Sequence, residues 1–383
     1  MNITNQKLNP NLEWYDGFPG TAWFVGEEGR TYLDLRNGQF VLGRRHPRVV
    51  QPVRKQMEER LRSPHTNRSD TLTEQATRLL ADLTLDMLPY FCAGGHSALK
   101  MCLDAAKEHT GRQKIIVCVE AIDSVDSVEA SHAFETVESF EQIRLCVTNN
   151  SDQLRELFAV LEFTGEIPAA VLIEPVTVDM HLVDTRFLQT AREMCNKYGA
   201  LLIFNEVGCG LGRTGRWWGY SHSGVEPDAM ALGEGLGGGV MPVGACVVSK
   251  TVRFSPHCLY PWSTAMVAVI STLTVIQYDQ LIQSASKKGE YLCQILTGLL
   301  QEFREIVREI GGCGLMWSVS FVNAKTARKF VKGLQKYRLL IRSGGSIVWL
   351  EPPLTITVDD LDIVAKSCRN VLKEIAHKPK AML

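Results

Sequence analysis

Apolar residues in this chain fall in short unbroken blocks separated by stretches with a helical rhythm. Blocks of strand length occupy 114–120 (KIIVCVE), 143–148, 169–176, 200–207 (ALLIFNEV), 229–233 and 243–249. Between them, 152–163 and 185–198 place apolar residues three and four apart, the spacing of one helix face. Uninterrupted apolar strands suit a sheet buried on both faces, and the alternation with helices predicts a mostly parallel one. Upstream, 29–35 alternates as a short strand, and helical patterns cover 49–61 and 73–83. Downstream, a long helix starts near Met266, and 359–376 forms a final amphipathic helix.

The stretch 199–250 organises the rest. Two of its apolar blocks stop at polar side chains: Asn205 and Glu206 after the first, Glu234 after the second. Ligands of open α/β sheets bind in the crevice at such strand ends. A glycine-rich turn, Gly235–Gly239, follows Glu234 directly. Any chemistry is therefore expected between Asn205 and Glu234.

Composition narrows the function classes. Lys+Arg total 41 and Asp+Glu 42, a balance that argues against nucleic-acid or membrane-surface binding driven by bulk charge. The opening MNITNQKLNP is polar, without the apolar core of an export signal. No apolar run reaches the length of a membrane span. The cysteines are scattered, with no CxxC pair, which predicts reduced, buried thiols and no structural zinc. A cytoplasmic protein is expected.

Residues 205–215 read NEVGCGLGRTG and 224–245 read GVEPDAMALGEGLGGGVMPVGA. This text resembles the class III (ω-type) aminotransferases of the pyridoxal-phosphate (PLP) fold type I. Their pattern runs roughly DEVQTGFGRTG, then GVxPDxxxxxKGLGGGxPxGA. Phe91–Arg112 matches in length the family's turn and helix that hold the cofactor phosphate. The resemblance covers nearly the whole chain. It implies an α/β fold: a large, mostly parallel aminotransferase-like domain at 71–280 and a smaller α+β domain at 281–383. Residues 1–70 would form an N-terminal segment shared between the small domain and the contact of a homodimer.

The resemblance also pairs six cofactor-binding positions with residues that differ. The family has a Schiff-base lysine, an acid under the ring nitrogen, a partner for the ring hydroxyl, a stacking aromatic, a phosphate-binding serine and a threonine from the neighbouring subunit. Here those positions hold Glu234, Asn205, Gly208, Ile122, Gly94 and Leu259. A carboxylate is not an amine nucleophile, and a neutral amide cannot hold a proton on the ring nitrogen by charge. The expectation is a crevice without a cofactor and without a metal, PLP being disfavoured. Glu234, Glu206 and His96 are the candidate acid–base residues. Asn205, Val207, Asp123, Gly95 and Trp262 are the candidate substrate contacts. Each has a plainer reading: His96 as a neighbour of a helix cap, Gly95 as a turn, Trp262 as packing, and Glu234 as a carboxylate paired with Arg213 or another cation. Asp179 and His181 read as exposed loop residues.

Three functions follow from this reading. The first is PLP-independent acid–base chemistry (cyclisation, elimination, isomerisation or hydrolysis) on an amine, amino-acid-like or imine-bearing small molecule. The second is a pseudoenzyme that keeps the dimer surface as a binding or scaffold subunit. The third is an aminotransferase that holds PLP, or its pyridoxamine form, without a covalent bond.

Overall fold

The structure, a computed structural model, describes residues 18–377 except 27, 37, 39, 63–67, 120–142 and 257–261. Asp123, Ile122 and Leu259 lie outside the described residues, as does the loop or short helix expected over 123–140.

Two short antiparallel strands, β1 (Trp23–Val25) and β2 (Thr31–Asp34), precede helices α1 (Pro47–Arg62) and α2 (Arg68–Ala81). Then come β3 (Leu88–Cys92), α3 (Gly95–Thr110), β4 (Ile115–Val119) and β5 (Ile143–Val147). Next are α4 (Ser151–Phe163), β6 (Ala170–Ile173), α5 (Thr185–Tyr198) and β7 (Leu201–Asn205). β8 (Ala229–Leu232) and β9 (Gly244–Val248) complete a seven-stranded sheet ordered β3-β9-β8-β7-β6-β4-β5. The run from β8 through β7, β6 and β4 to β5 is parallel; β9 runs against β8, and β3 against β9. This is the mostly parallel α/β sheet expected from the apolar blocks, and it agrees with the fold type I arrangement that the resemblance implies. β6, β7, β8 and β9 are buried at every residue, which is why each reads as an unbroken apolar run.

Local signals set where the elements stop. Asp184 caps α5 by accepting from the Arg186 amide, and Gly199 ends it in the left-handed conformation at φ 61°. The chain then enters β7 two residues later, so the Gly199 stop fixes where Asn205 emerges.

The long helix expected from Met266 is two helices, α6 (Ser263–Tyr278) and α7 (Leu281–Glu302), meeting at 60°. The break falls at Asp279 and Gln280, the latter with φ 51°, which no regular helix accommodates. Among the described residues no single helix is long and apolar enough to cross a membrane. Beyond α7, β10 (Val307–Cys313), β11 (Met316–Phe321), α8 (Ala324–Lys336), β12 (Leu339–Leu340), β13 (Arg342–Gly344), β14 (Ile347–Leu350) and α9 (Val358–Ala376) close the chain. Four of these strands form an antiparallel sheet ordered β10-β11-β14-β13, while β12 pairs with β2 and ties the two ends of the chain together.

Where β9 passes the start of α3, Gly244 leaves no room for a side chain. A Cβ there would stand 2.6 Å from the Gly94 carbonyl carbon and 2.6 Å from the Leu232 oxygen, both backbone atoms. Gly244→Ala should therefore destabilise the fold by roughly 1–3 kcal/mol through overpacking. Urea unfolding measures it, and an unchanged midpoint would show that β9 and α3 are not held this closely.

Candidate functional site

Four elements meet at the carboxyl edge of the sheet: the ends of β6, β7 and β8, and the start of α3. Asn205 closes β7. Its Nδ2 donates to Glu174 Oε1 just past β6 (3.0 Å), and its Oδ1 accepts from the Val207 amide (3.2 Å). Both bonds fix the amide plane, so the carboxamide is positioned rather than free to rotate.

Val207 fills the space beside it. A Cβ on Gly95 would lie 2.6 Å from Val207 Cγ1, and one on Gly233 2.8 Å from the same atom. The valine thus wedges between the first residue of α3 and the last before Glu234, and only glycine fits at either neighbour.

Glu234 begins a short 3-10 turn, Glu234–Gly237, directly after β8. Its half-buried side chain reaches across to α3, where Oε1 accepts from the Gly95 amide at 3.0 Å. Gly94 stands at the N-cap of α3 and offers no side-chain hydrogen bond of its own. A Cβ on Gly94 would come to 2.2 Å from Glu234 Oε1. The carboxylate therefore occupies the volume that a side chain at residue 94 would take. A helix start carries unsatisfied N–H groups and about half a positive charge, which favours an anion there. Among the described residues Glu234 makes no ion pair. Arg213 pairs instead with Glu351, Nη2 to Oε1 at 3.4 Å, which corrects the expectation that it would serve Glu234.

The remaining sequence candidates separate from this centre. Glu206 is buried, and its carboxylate faces a different turn: Oε2 accepts from the Gly219 amide (2.8 Å) and the Cys209 thiol (3.0 Å), and Oε1 from the Tyr220 amide (2.9 Å). The part expected of it, moving protons in the crevice, gives way to holding that turn on the end of β7. His96 is exposed on the first turn of α3, and Trp262 is exposed at the N-cap of α6. His181 is less isolated than a loop residue: its Nε2 lies 3.4 Å from Glu309 Oε1 on β10.

A cavity of about 80 Å³ opens beside Asn205 and Gly208, between Glu174 and Cys209, which follow β6 and β7, and Met316 and Trp349 on the smaller sheet. Arg342 borders it as well. Its guanidinium gives two bonds to Glu351 Oε2 (3.2 and 2.9 Å) and lies 4.4 Å from the centre of the Trp349 ring. Sequence reasoning passed over Arg342, Trp349 and Glu351. The signal was present in RSGGSIVWLE: a Gly345-Ser346 turn between two strand-like pieces puts Arg342 opposite Trp349, the register the hairpin adopts. The buried guanidinium of Arg213 is pinned further by Gly38, where a Cβ would fall 0.8 Å from Nη1. Burial lowers the Arg213 pKa, and Glu351 pulls it back up.

The aminotransferase class-III family model matches residues 20–372. The chain belongs to the class III aminotransferase family. Solved structures agree in fold at low sequence identity. An S-selective transaminase from Arthrobacter sp. with alanine bound superposes with a TM-score of 0.79 at 22% identity, covering 93% of this chain and 91% of its own. Ornithine aminotransferase from Toxoplasma gondii ME49 gives 0.80 at 22%, covering 94% and 90%. Taurine:2-oxoglutarate aminotransferase from Bifidobacterium kashiwanohense, in complex with PLP and glutamate, gives 0.78 at 19%, covering 94% and 92%. Membership corrects the expectation of a crevice without a cofactor. Class III aminotransferases are PLP-dependent, and the Bifidobacterium structure carries PLP.

The site of this class III chain meets part of what that cofactor asks. The start of α3 offers amide donors of the kind that hold phosphate, but Glu234 already uses that of Gly95. Among the described residues, the group bonded to the Gly95 amide is a carboxylate, and a carboxylate is not an amine nucleophile.

Glu206 yields a pH test. Burial raises its pKa above 4.5, against the lowering pull of the Cys209 thiol and the Gly219 and Tyr220 amides. A carboxyl whose pKa is higher folded than unfolded holds its proton more tightly in the native state. The stability it contributes is full below about pH 4.5 and is lost as pH rises through the folded value. Urea unfolding of wild type and Glu206→Gln at several pH values should show the wild type losing ground to the variant as pH rises; the reverse trend contradicts it. Glu206→Ala, which orphans two buried amides, should cost roughly 2–4 kcal/mol in acid and less as the pH rises.

Proposed function

We propose that this class III family member is an aminotransferase that holds PLP, or its pyridoxamine form, by non-covalent contacts. Its substrate would be an amine or amino-acid-type molecule, and its working form a homodimer. Family membership supports the cofactor. The observation that makes the contacts non-covalent is Glu234: the resemblance pairs it with the family's Schiff-base lysine, and its carboxylate lies on α3.

When bound, the cofactor supplies an electron-accepting ring that lets an amino group pass from one carbon skeleton to another. The chain's own residues bind and orient. Val207 presents an apolar surface between β7 and α3. Asn205, locked by Glu174 and by the Val207 amide, presents a neutral carboxamide whose orientation is already determined. Fixing such groups in advance removes the orienting cost from the binding step.

Acid–base chemistry without PLP had rested on Glu234, Glu206 and His96 sharing one crevice. Glu206 holds the 219–220 turn and His96 is exposed, so the residues give that reading no support. A purely scaffolding role has no observation of its own in its favour.

Titrating the purified chain with PLP, followed by absorbance, tests the proposal. Saturable binding is expected, with the cofactor released on denaturation even after borohydride reduction and the mass of the chain unchanged. Supplied with PLP or pyridoxamine phosphate, an amino donor and a 2-oxo acid, the chain should exchange their amino group. No saturable binding at millimolar PLP, or a borohydride-fixed adduct on a lysine, would overturn it.

A further inference from the structure

We propose that Glu234 is a built-in competitor for phosphate: an anionic group reaches the Gly95 amide only when the Glu234 carboxylate has left it. The proposal rests on the reading that the chain takes a phosphate-bearing cofactor, and it specifies what that cofactor must displace.

The geometry carries the argument. The Gly95 amide is donated to Glu234 Oε1, an acceptor 139 positions away in sequence, at 3.0 Å. One N–H makes one good hydrogen bond, so a phosphate oxygen and the carboxylate cannot both have it. The space around the contact is tight. Val207 lies against Gly95, β9 presses Gly244 against the Gly94 carbonyl, and Gly94 is bare because the carboxylate sits where its Cβ would be. The first turn of α3 has no acidic residue, so among the described residues Glu234 is the anion bonded to this helix end.

The contact can also open. Glu234 is half-buried, which gives its carboxylate a route to water. Its side chain turns about three torsions, so the carboxylate can swing away while the backbone of the 234–237 turn stays in place. In place, it blocks the amide and repels a phosphate that carries between one and two negative charges. Displaced, it leaves a helix start able to take that phosphate. Ligands without phosphate have no such conflict. Glu234 therefore weakens phosphate-bearing ligands selectively, and its exit becomes part of their binding.

The test titrates three probes (inorganic phosphate, PLP and unphosphorylated pyridoxal) into the full chain, its Glu234→Gln variant and its Glu234→Ala variant. Binding is read by calorimetry, with folding of each variant checked by circular dichroism. Glutamine keeps the shape and removes the charge; alanine also vacates the amide, and stands in should the glutamine variant fold poorly. Phosphate and PLP should bind roughly tenfold or more tightly to the variants, while pyridoxal changes less than about twofold. Unchanged or weaker phosphate binding in the folded variants would overturn the proposal, as would an equal gain for pyridoxal. The two readings fail separately. Phosphate that tightens while PLP binds none of the proteins upholds the competitor and removes the cofactor. PLP that binds wild type and variants alike, with phosphate unchanged, does the opposite.

Discussion

A single hydrogen bond, from the Gly95 amide to the Glu234 carboxylate, joins the two pieces of chain that define this site. Its strength comes from where it stands. The donor is at the positive end of a sixteen-residue helix, and the acceptor is charged. The residues around it are arranged so that it can form. Gly94 yields the carboxylate its volume, Gly95 and Gly233 admit Val207, and Gly244 lets β9 run against the turn. A side chain at 95, 233 or 244 would collide with Val207 or with backbone, while one at 94 would displace the Glu234 carboxylate.

The positions of the site residues come from the sheet. The sheet places the ends of β6, β7 and β8 side by side because its parallel strands share one carboxyl edge. That edge is fixed by packing, independent of which polar residues follow the strands. Glu174, Asn205 and Glu234 inherit their positions from it. Glu206 inherits a different one, since neighbouring residues leaving a strand point to opposite sides. It serves the 219–220 turn on the side away from Asn205.

Much of the fold was legible because its strands are buried on both faces and so carry no polar interruptions. The bounds of α4, α5 and α9 follow from periodicity and from caps such as Asp184 and Gly199, which act locally. The break between α6 and α7 was not legible. Asp279-Gln280 carries no glycine or proline, and the bend reflects how the two helices pack against different parts of the molecule. In the site, Glu234 stood out because it interrupts a recognisable glycine-rich text. Its partner could not be read, since Gly95 lies 139 residues away and is joined to it only by the sheet. Glu206 misled for the opposite reason: adjacency to Asn205 in sequence suggested a shared crevice, and the alternation of the chain separates them. The Arg213–Glu351–Arg342 cluster went unseen because it joins β13 and β14 to a loop 129 or more residues earlier, and distant ion pairs leave no local pattern.

On the proposed reading, the family's cofactor and this chain's glutamate compete for one backbone amide, which can serve only one of them. A high-resolution crystal structure of the chain soaked with PLP addresses this directly. The account predicts a phosphate oxygen within hydrogen-bond distance of the Gly95 nitrogen, the Glu234 carboxylate turned away from it, and no covalent bond from cofactor to protein. PLP bound with Glu234 still on the Gly95 amide, its phosphate held elsewhere, would contradict it.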